Sequence, residues 1–120
     1  KQVVIVRRDN GKKEFVKEAK VVVRVKEILE ELHKAMFKKA QKFLKDNSVE
    51  VSSWSDFKKA LSERKLILTS FCNSPDCEEA IKDETTATSR CIPFGQKSFK
   101  GKCVKCEKET SLKAWFGKAY

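Results

Sequence analysis

The chain has 120 residues, enough for one domain or one domain with part of another. Charged residues make up 37% and hydrophobic residues 40%, and no apolar run approaches the ~20 residues that a membrane-spanning helix needs. A formal net charge of +10 suits a polyanionic partner such as RNA or DNA, and equally suits a solvated lysine-rich surface.

Residues 3–8 read Val-Val-Ile-Val-Arg-Arg, a β-branched run that predicts a strand. Asp9-Asn10-Gly11 is a tight-turn signal, and Glu14-Phe15-Val16 returns as a short second strand, giving a β-hairpin. The first residue is Lys1 and the chain begins at or inside a strand, so we expect a segment cut from a longer protein.

Val22, Val25, Leu29, Leu32, Met36, Ala40 and Phe43 then recur at steps of three and four. They predict one apolar face of a long helix from about Glu18 to Lys45, with lysines and glutamates on the other face. Such a helix spans on the order of 40 Å and is long enough to connect two domains. No sustained heptad supports a coiled coil. Asp46-Asn47-Ser48 reads as its stop.

Ser53 or Ser55 is placed to cap a second helix carrying Trp54, Phe57, Ala60 and Leu61 inward. Leu66 to Phe71 reads as a core strand that delivers the chain to Cys72. Asn73 to Asp76 is a turn signal, and Cys77 to Ile81 opens a short helix. Arg90 to Phe94 is extended around Pro93, Gly95 to Gly101 is a polar loop, Cys103 to Cys106 is a knuckle, and Leu112 to Phe116 is a final strand.

Four cysteines form two close pairs, Cys72 with Cys77 and Cys103 with Cys106. Thiolates at such spacings can curl round one ion, and zinc favours four soft ligands in a tetrahedron. A closed site of four thiolates keeps no position for water, so it is structural rather than catalytic. Disulfides remain open as an alternative, although five cysteines leave one over. A Cys-x-x-Cys redox site is a further alternative that lacks the usual βαβ setting. Cys91 reads as a small buried hydrophobe, or as a replacement for one of the four ligands. Lys102, Lys105 and Lys108 flank the knuckle and would ease thiolate charge or touch RNA. Glu78, Glu79, Asp83 and Glu84 read as a solvated helix face, and His33, the one histidine, as a flank of the long helix. No nucleophile–base pair and no Gly-rich phosphate loop is present, so no catalytic residue is expected.

From Cys72 onward the order of residues resembles a known pattern. Phe71-Cys72-Asn73-Ser74-Pro75-Asp76-Cys77 leads to Thr88-Ser89-Arg90-Cys91-Ile92-Pro93-Phe94, then Gly101-Lys102-Cys103-Val104-Lys105-Cys106 and the terminal Ala114-Trp115-Phe116-Gly117-Lys118-Ala119-Tyr120. It resembles the C-terminal zinc domain of prolyl-tRNA synthetases of the archaeal and eukaryotic type. Val4 to Asp9 resembles the last strand of that family's anticodon-binding domain, so the resemblance covers essentially the whole chain.

The resemblance implies an α+β fold in which an N-terminal β-hairpin and a long connecting helix precede a small mixed α/β zinc-binding domain. Residues 1–24 would be the edge of the anticodon-binding domain and residues 25–120 the zinc domain. It implies one structural zinc held by Cys72, Cys77, Cys103 and Cys106, with Cys91 outside the set. It implies that the Tyr120 carboxylate folds back toward a catalytic domain. The parent would join proline to its tRNA with ATP and magnesium, in the cytoplasm and as a homodimer, with no membrane partner. The class II catalytic core is absent from the chain, so the fragment by itself is expected to be no enzyme. Arg7, Arg8, Lys12 and Lys13 are candidates for RNA phosphates, with plain surface charge as the competing reading. Thr86 stands where the family often has glycine, so a different turn is expected before Ala87. Two other functions fit the charge: a stand-alone basic zinc module that binds nucleic acid, and a tail that docks on a partner protein.

Overall fold

The computed structural model describes residues 1–118. The fold is α+β, and the described residues divide into two compact units, Lys1–Phe43 and Leu44 onward.

In the first unit, β1 (Gln2–Val6) pairs antiparallel with β2 (Lys13–Lys17), with Val4 opposite Phe15. Gly11 closes the turn at φ +70°, a conformation that glycine adopts without steric cost. A 3-10 turn at Glu18–Lys20 leads into α1 (Val21–Asp46). The hairpin is tied to the helix by charge. Arg24 donates through Nε and Nη2 to both oxygens of Glu14, at 2.6 and 3.1 Å, and through Nη1 to Glu27 and Glu31. Arg7 donates to Asp9 and, at 2.6 Å, to Glu31. The Arg24 guanidinium holds the carboxyls of Glu14 and Glu31 below the usual carboxylate range, and Arg7 does the same for Asp9. Of the apolar residues on α1, only Ile28 is buried among the described residues. Val22, Leu29, Met36 and Phe43 are exposed, as are Val4, Val6 and Phe15 on the hairpin. Most of the apolar face expected on this helix is therefore open to solvent.

The second unit is built on a four-stranded sheet in the order β3-β4-β8-β5. β3 (Ser48–Val51) lies parallel to β4 (Leu66–Ser70), and α2 (Trp54–Ser62) makes the crossover between them. Ser53 caps α2, its Oγ accepting from the Asp56 amide at 3.1 Å. β3 begins at Ser48, within the expected helix stop, and Val49–Val51 carried no expected element. Its four residues are too few to show a clear period, and parallel pairing with β4 supplies the backbone partners.

α3 (Pro75–Thr85) starts two residues earlier than its apolar pattern suggested. Pro75 takes the first helical position, where its missing N–H costs nothing, and Asp76 favours the positive end of the helix. Thr86 ends the helix in the left-handed region at φ +62°, and its amide donates to the Lys82 carbonyl at 2.7 Å. A glycine at this position would take the same conformation without strain. The turn therefore has the backbone geometry that glycine favours, although its residue differs.

β5 (Ala87–Cys91) and β8 (Lys113–Lys118) pair antiparallel, with an irregularity between Ser89 and Cys91. β6 (Gly101–Lys102) and β7 (Glu109–Thr110) form a minimal hairpin. The core lies between the sheet and α2 and α3. Phe57, Ile67, Ile81 and Phe116 are fully buried, and Phe116 meets Phe57 and Phe71 edge-on at 5.7 and 5.2 Å. Buried Thr69 is satisfied because its hydroxyl donates to the Val51 carbonyl at 2.8 Å.

Candidate metal centre

The four paired cysteines come from three separate places. Cys72 lies just past β4, Cys77 in the first turn of α3, and Cys103 and Cys106 in the β6–β7 connection. Local backbone geometry turns each pair inward. Asn73 at φ +56° bends the chain after Cys72, and Glu107 at φ +58° bends it after Cys106. The Glu107 amide donates to the Cys103 carbonyl at 3.0 Å, and the Cys103 amide to the Lys108 carbonyl at 2.9 Å, closing the knuckle. The Val104 amide donates to the Ser70 carbonyl at 3.0 Å, and the Thr110 hydroxyl to the Phe71 carbonyl at 2.7 Å. These bonds fasten the knuckle to the end of β4, where Cys72 sits.

The result brings the four Sγ atoms within 4.8 Å of one another. Cys77 Sγ lies 3.7 Å from Cys103 Sγ, and Cys106 Sγ 3.6 Å from Cys72 Sγ. These separations are far beyond the ~2.05 Å of a disulfide. A tetrahedron with metal–sulfur bonds of ~2.3 Å has edges of about 3.8 Å. The four cysteines are therefore close enough to hold a metal ion, and their spacing fits a tetrahedral thiolate site.

Ionisation of the four is uneven. Burial and the neighbouring thiols push Cys77 well up, and burial also raises Cys72. At Cys103 burial acts in the same direction, but the amides of Cys106, Lys105 and Cys72 point at its sulfur and outweigh it, lowering the thiol to about 7. Cys103 is thus primed as a thiolate near neutral pH. Cys91 is outside this group. It is exposed on β5 rather than buried, because β5 forms one edge of the sheet.

Glu84 is more than part of a solvated face. Its carboxylate accepts from the Trp54 indole N–H at 3.0 Å and pairs with Lys105 and with Lys58. Lys105 also stands over the Trp54 ring. The knuckle is therefore linked to α2 and α3 through side chains as well as sulfur. Sequence spacing offers no signal for this cluster, because Glu84 lies 30 residues from Trp54 and 21 from Lys105, and they meet only in the fold.

The candidate phosphate-binding residues differ in their commitments. Arg7 is held by Asp9 and Glu31, whereas Arg8, Lys12 and Lys13 are exposed. Tyr120 lies outside the described residues.

A small α/β unit with a closed four-cysteine cluster suits a structural metal domain appended to a larger protein. The description "Prolyl-tRNA synthetase, C-terminal" matches residues 54–120, and the chain belongs to that family. Among curated relatives, proline–tRNA ligase 2 of Bacillus thuringiensis subsp. konkukian is 39% identical over 120 residues. The proline–tRNA ligases of Oceanobacillus iheyensis and Christiangramia forsetii are each 38% identical over 119 residues. These alignments cover 98–99% of this chain and 24–25% of each relative. The chain thus spans about a quarter of the length of the curated relatives it matches. These three relatives are bacterial, so similarity to the chain extends beyond archaea and eukaryotes. No helix among the described residues is long and apolar enough to cross a membrane.

Proposed function

We propose that this chain is the C-terminal part of a prolyl-tRNA synthetase, and that residues 25–120 give that enzyme a structural zinc domain. The convergence of Cys72, Cys77, Cys103 and Cys106 within 4.8 Å, in a chain of this family, carries the reading. Zinc is favoured because four thiolates in a tetrahedral arrangement match its preferences. One ion, when bound, cross-links the end of β4, the first turn of α3 and the β6–β7 hairpin, and its binding energy becomes folding energy. The chain's own residues prepare the place: amides aimed at Cys103 stabilise its thiolate, and the Lys105–Glu84 pair braces the knuckle.

Residues 1–24 are read as the edge of the anticodon-binding domain. The exposed apolar residues of β1, β2 and α1 support this, since they suit further elements of a longer enzyme. Arg8, Lys12 and Lys13, with Arg7 in a bracing role, are assigned to phosphates of the proline tRNA. The C-terminal carboxylate of Tyr120 is assigned to a contact with the catalytic domain. Proline activation with ATP and magnesium belongs to portions of the enzyme that this chain does not contain, and the isolated chain is inactive in aminoacylation. The whole enzyme is assigned to the cytoplasm, as a homodimer.

Metal content of protein purified without chelator tests the reading. About one zinc per chain is expected, lost when Cys72, Cys77, Cys103 or Cys106 is changed to serine and retained in Cys91→Ser. Absence of zinc, with the thiols paired as disulfides, would overturn it. Proline charging by the isolated chain would overturn the assignment of catalysis elsewhere.

A further inference from the structure

Residues 85–106 contain no aspartate or glutamate, yet they carry Arg90, Lys97, Lys100, Lys102 and Lys105. Two of these cations are engaged: Lys105 with Glu84, and Arg90 with the Lys118 carbonyl at 2.9 Å. Lys97, Lys100 and Lys102 are exposed and form no ion pair among the described residues. All three lie in or beside the loop that joins β5 to β6.

The same loop presents an aromatic ring to solvent. Phe94 is fully exposed, with a relative accessibility of 103%. It lies in a turn with Gly95, which sits at φ +65°. The base of the loop is fastened. Gln96 receives the Lys113 amide at 2.9 Å and donates to the Lys113 carbonyl at 2.7 Å and the Pro93 carbonyl at 3.2 Å. Phe99 is held against Gly101 and under the Lys113 ammonium, 4.8 Å from the ring centre. Phe94 therefore projects from an anchored platform, beside a recess of about 290 Å³ lined in part by Leu68, Lys97 and Phe99.

An exposed aromatic ring that shares a recess with Lys97, in a loop that carries Lys100 and leads to Lys102 with no acid in the segment, matches the two surfaces of a single strand of nucleic acid. A base can stack on the ring while its neighbouring phosphates meet the lysines. An apolar cover over Phe94 would leave the lysines in water, Lys102 opposite Glu109 across the hairpin, whereas a strand of nucleic acid engages the ring and the cations together.

We propose that the loop Pro93–Lys102 binds single-stranded RNA, with Phe94 stacking a base and Lys97, Lys100 and Lys102 holding flanking phosphates. The choice of RNA over DNA rests on the synthetase reading, while the charge and stacking argument stands apart from it and from the metal.

Fluorescence anisotropy of a short fluorescein-labelled oligouridylate, titrated with the zinc-loaded 120-residue chain, tests the surface. Binding is expected, and its logarithm should fall against the logarithm of salt with a slope of about −2 for three phosphates on a single strand. Phe94→Ala should weaken binding by roughly 5- to 150-fold with the slope unchanged, and Phe94→Trp should restore it. Lys97→Gln with Lys100→Gln should flatten the slope by about 1.4. Zinc content of the same samples reports separately on the structural site, so each reading can fail alone. No binding at low salt, or equal binding by Phe94→Ala, would overturn the proposal. So would a Phe94→Ala protein that binds RNA normally but loses association with the preceding domains, since that assigns the ring to a protein contact.

Discussion

The ammonium of Lys105 stands 4.4 Å from the centre of the Trp54 ring, and Glu84 joins the two by accepting from both. Lys105 lies between Cys103 and Cys106, so this contact connects the metal knuckle directly to α2. Trp54 in turn stacks on buried Phe57 at 5.0 Å. Changing Lys105 to methionine should keep the stem packed and remove the charge. We expect a loss of about 1 kcal/mol from the cation–π contact, read by denaturant unfolding of the zinc-loaded protein. Faster zinc release to a chromophoric chelator should accompany it.

Metal affinity should depend steeply on pH, because the ion competes with protons for the thiols. Burial and neighbouring thiols raise Cys77, and burial raises Cys72, so both favour the protonated thiol when no metal is bound. At Cys103 the backbone amides of Cys106, Lys105 and Cys72 outweigh burial and lower the thiol, so it is the first of the three to ionise. Apparent zinc affinity should therefore rise with pH through neutrality, with protons released on binding. Titration in weak buffer, followed by the pH change, checks this. A pH-independent affinity would contradict the thiolate account.

The Arg24 guanidinium depresses the pKa of Glu31, with Arg7 adding to the effect. A depressed carboxylate stabilises the fold above its unfolded pKa, and that contribution is lost as pH falls through the lower, folded value. An NMR titration should place the midpoint of Glu31 below 4.5. Glu31→Gln should move the amide resonances of Arg7 and Arg24 at neutral pH and leave the second unit's resonances in place.

Thr86 holds a left-handed conformation at φ +62°, which is costly for a β-branched residue. Thr86→Gly should raise stability by about 1 kcal/mol, net of the extra freedom glycine gains in the unfolded chain. A thermal midpoint several degrees higher is the expected reading. A lower midpoint would show that the threonine side chain contributes more than its backbone strain costs.

Phe116 is fully buried between Phe57 and Phe71, on the strand at the middle of the sheet. Phe116→Ala should cost about 3–5 kcal/mol and leave the second unit close to unfolding without metal. Circular dichroism with and without chelator checks it.

Much of this protein is legible in its residues. The hairpin follows from Asn10-Gly11 between β-branched runs, the long helix from apolar steps of three and four, and a cap of α2 at Ser53 or Ser55, of which the structure selects Ser53. The two cysteine pairs were recognisable because a chelating turn needs ligands close in sequence. β3 is not legible in the sequence, because four residues show no reliable period and its partner strand lies beyond an intervening helix.

The sequence by itself determined the first hairpin, the long helix, the helix after Ser53 and the strand before Cys72, the pairing of Cys72 with Cys77 and Cys103 with Cys106, and the excess of positive charge, since each depends on neighbours along the chain. Only the tertiary structure decided that the two pairs meet within 4.8 Å, that Cys91 is exposed, and that Glu84 joins Trp54 to Lys105. It also decided which lysines stay unpaired and which apolar residues of α1 stay open. These are relations between residues distant in sequence, set by strand register and packing that local propensity does not encode.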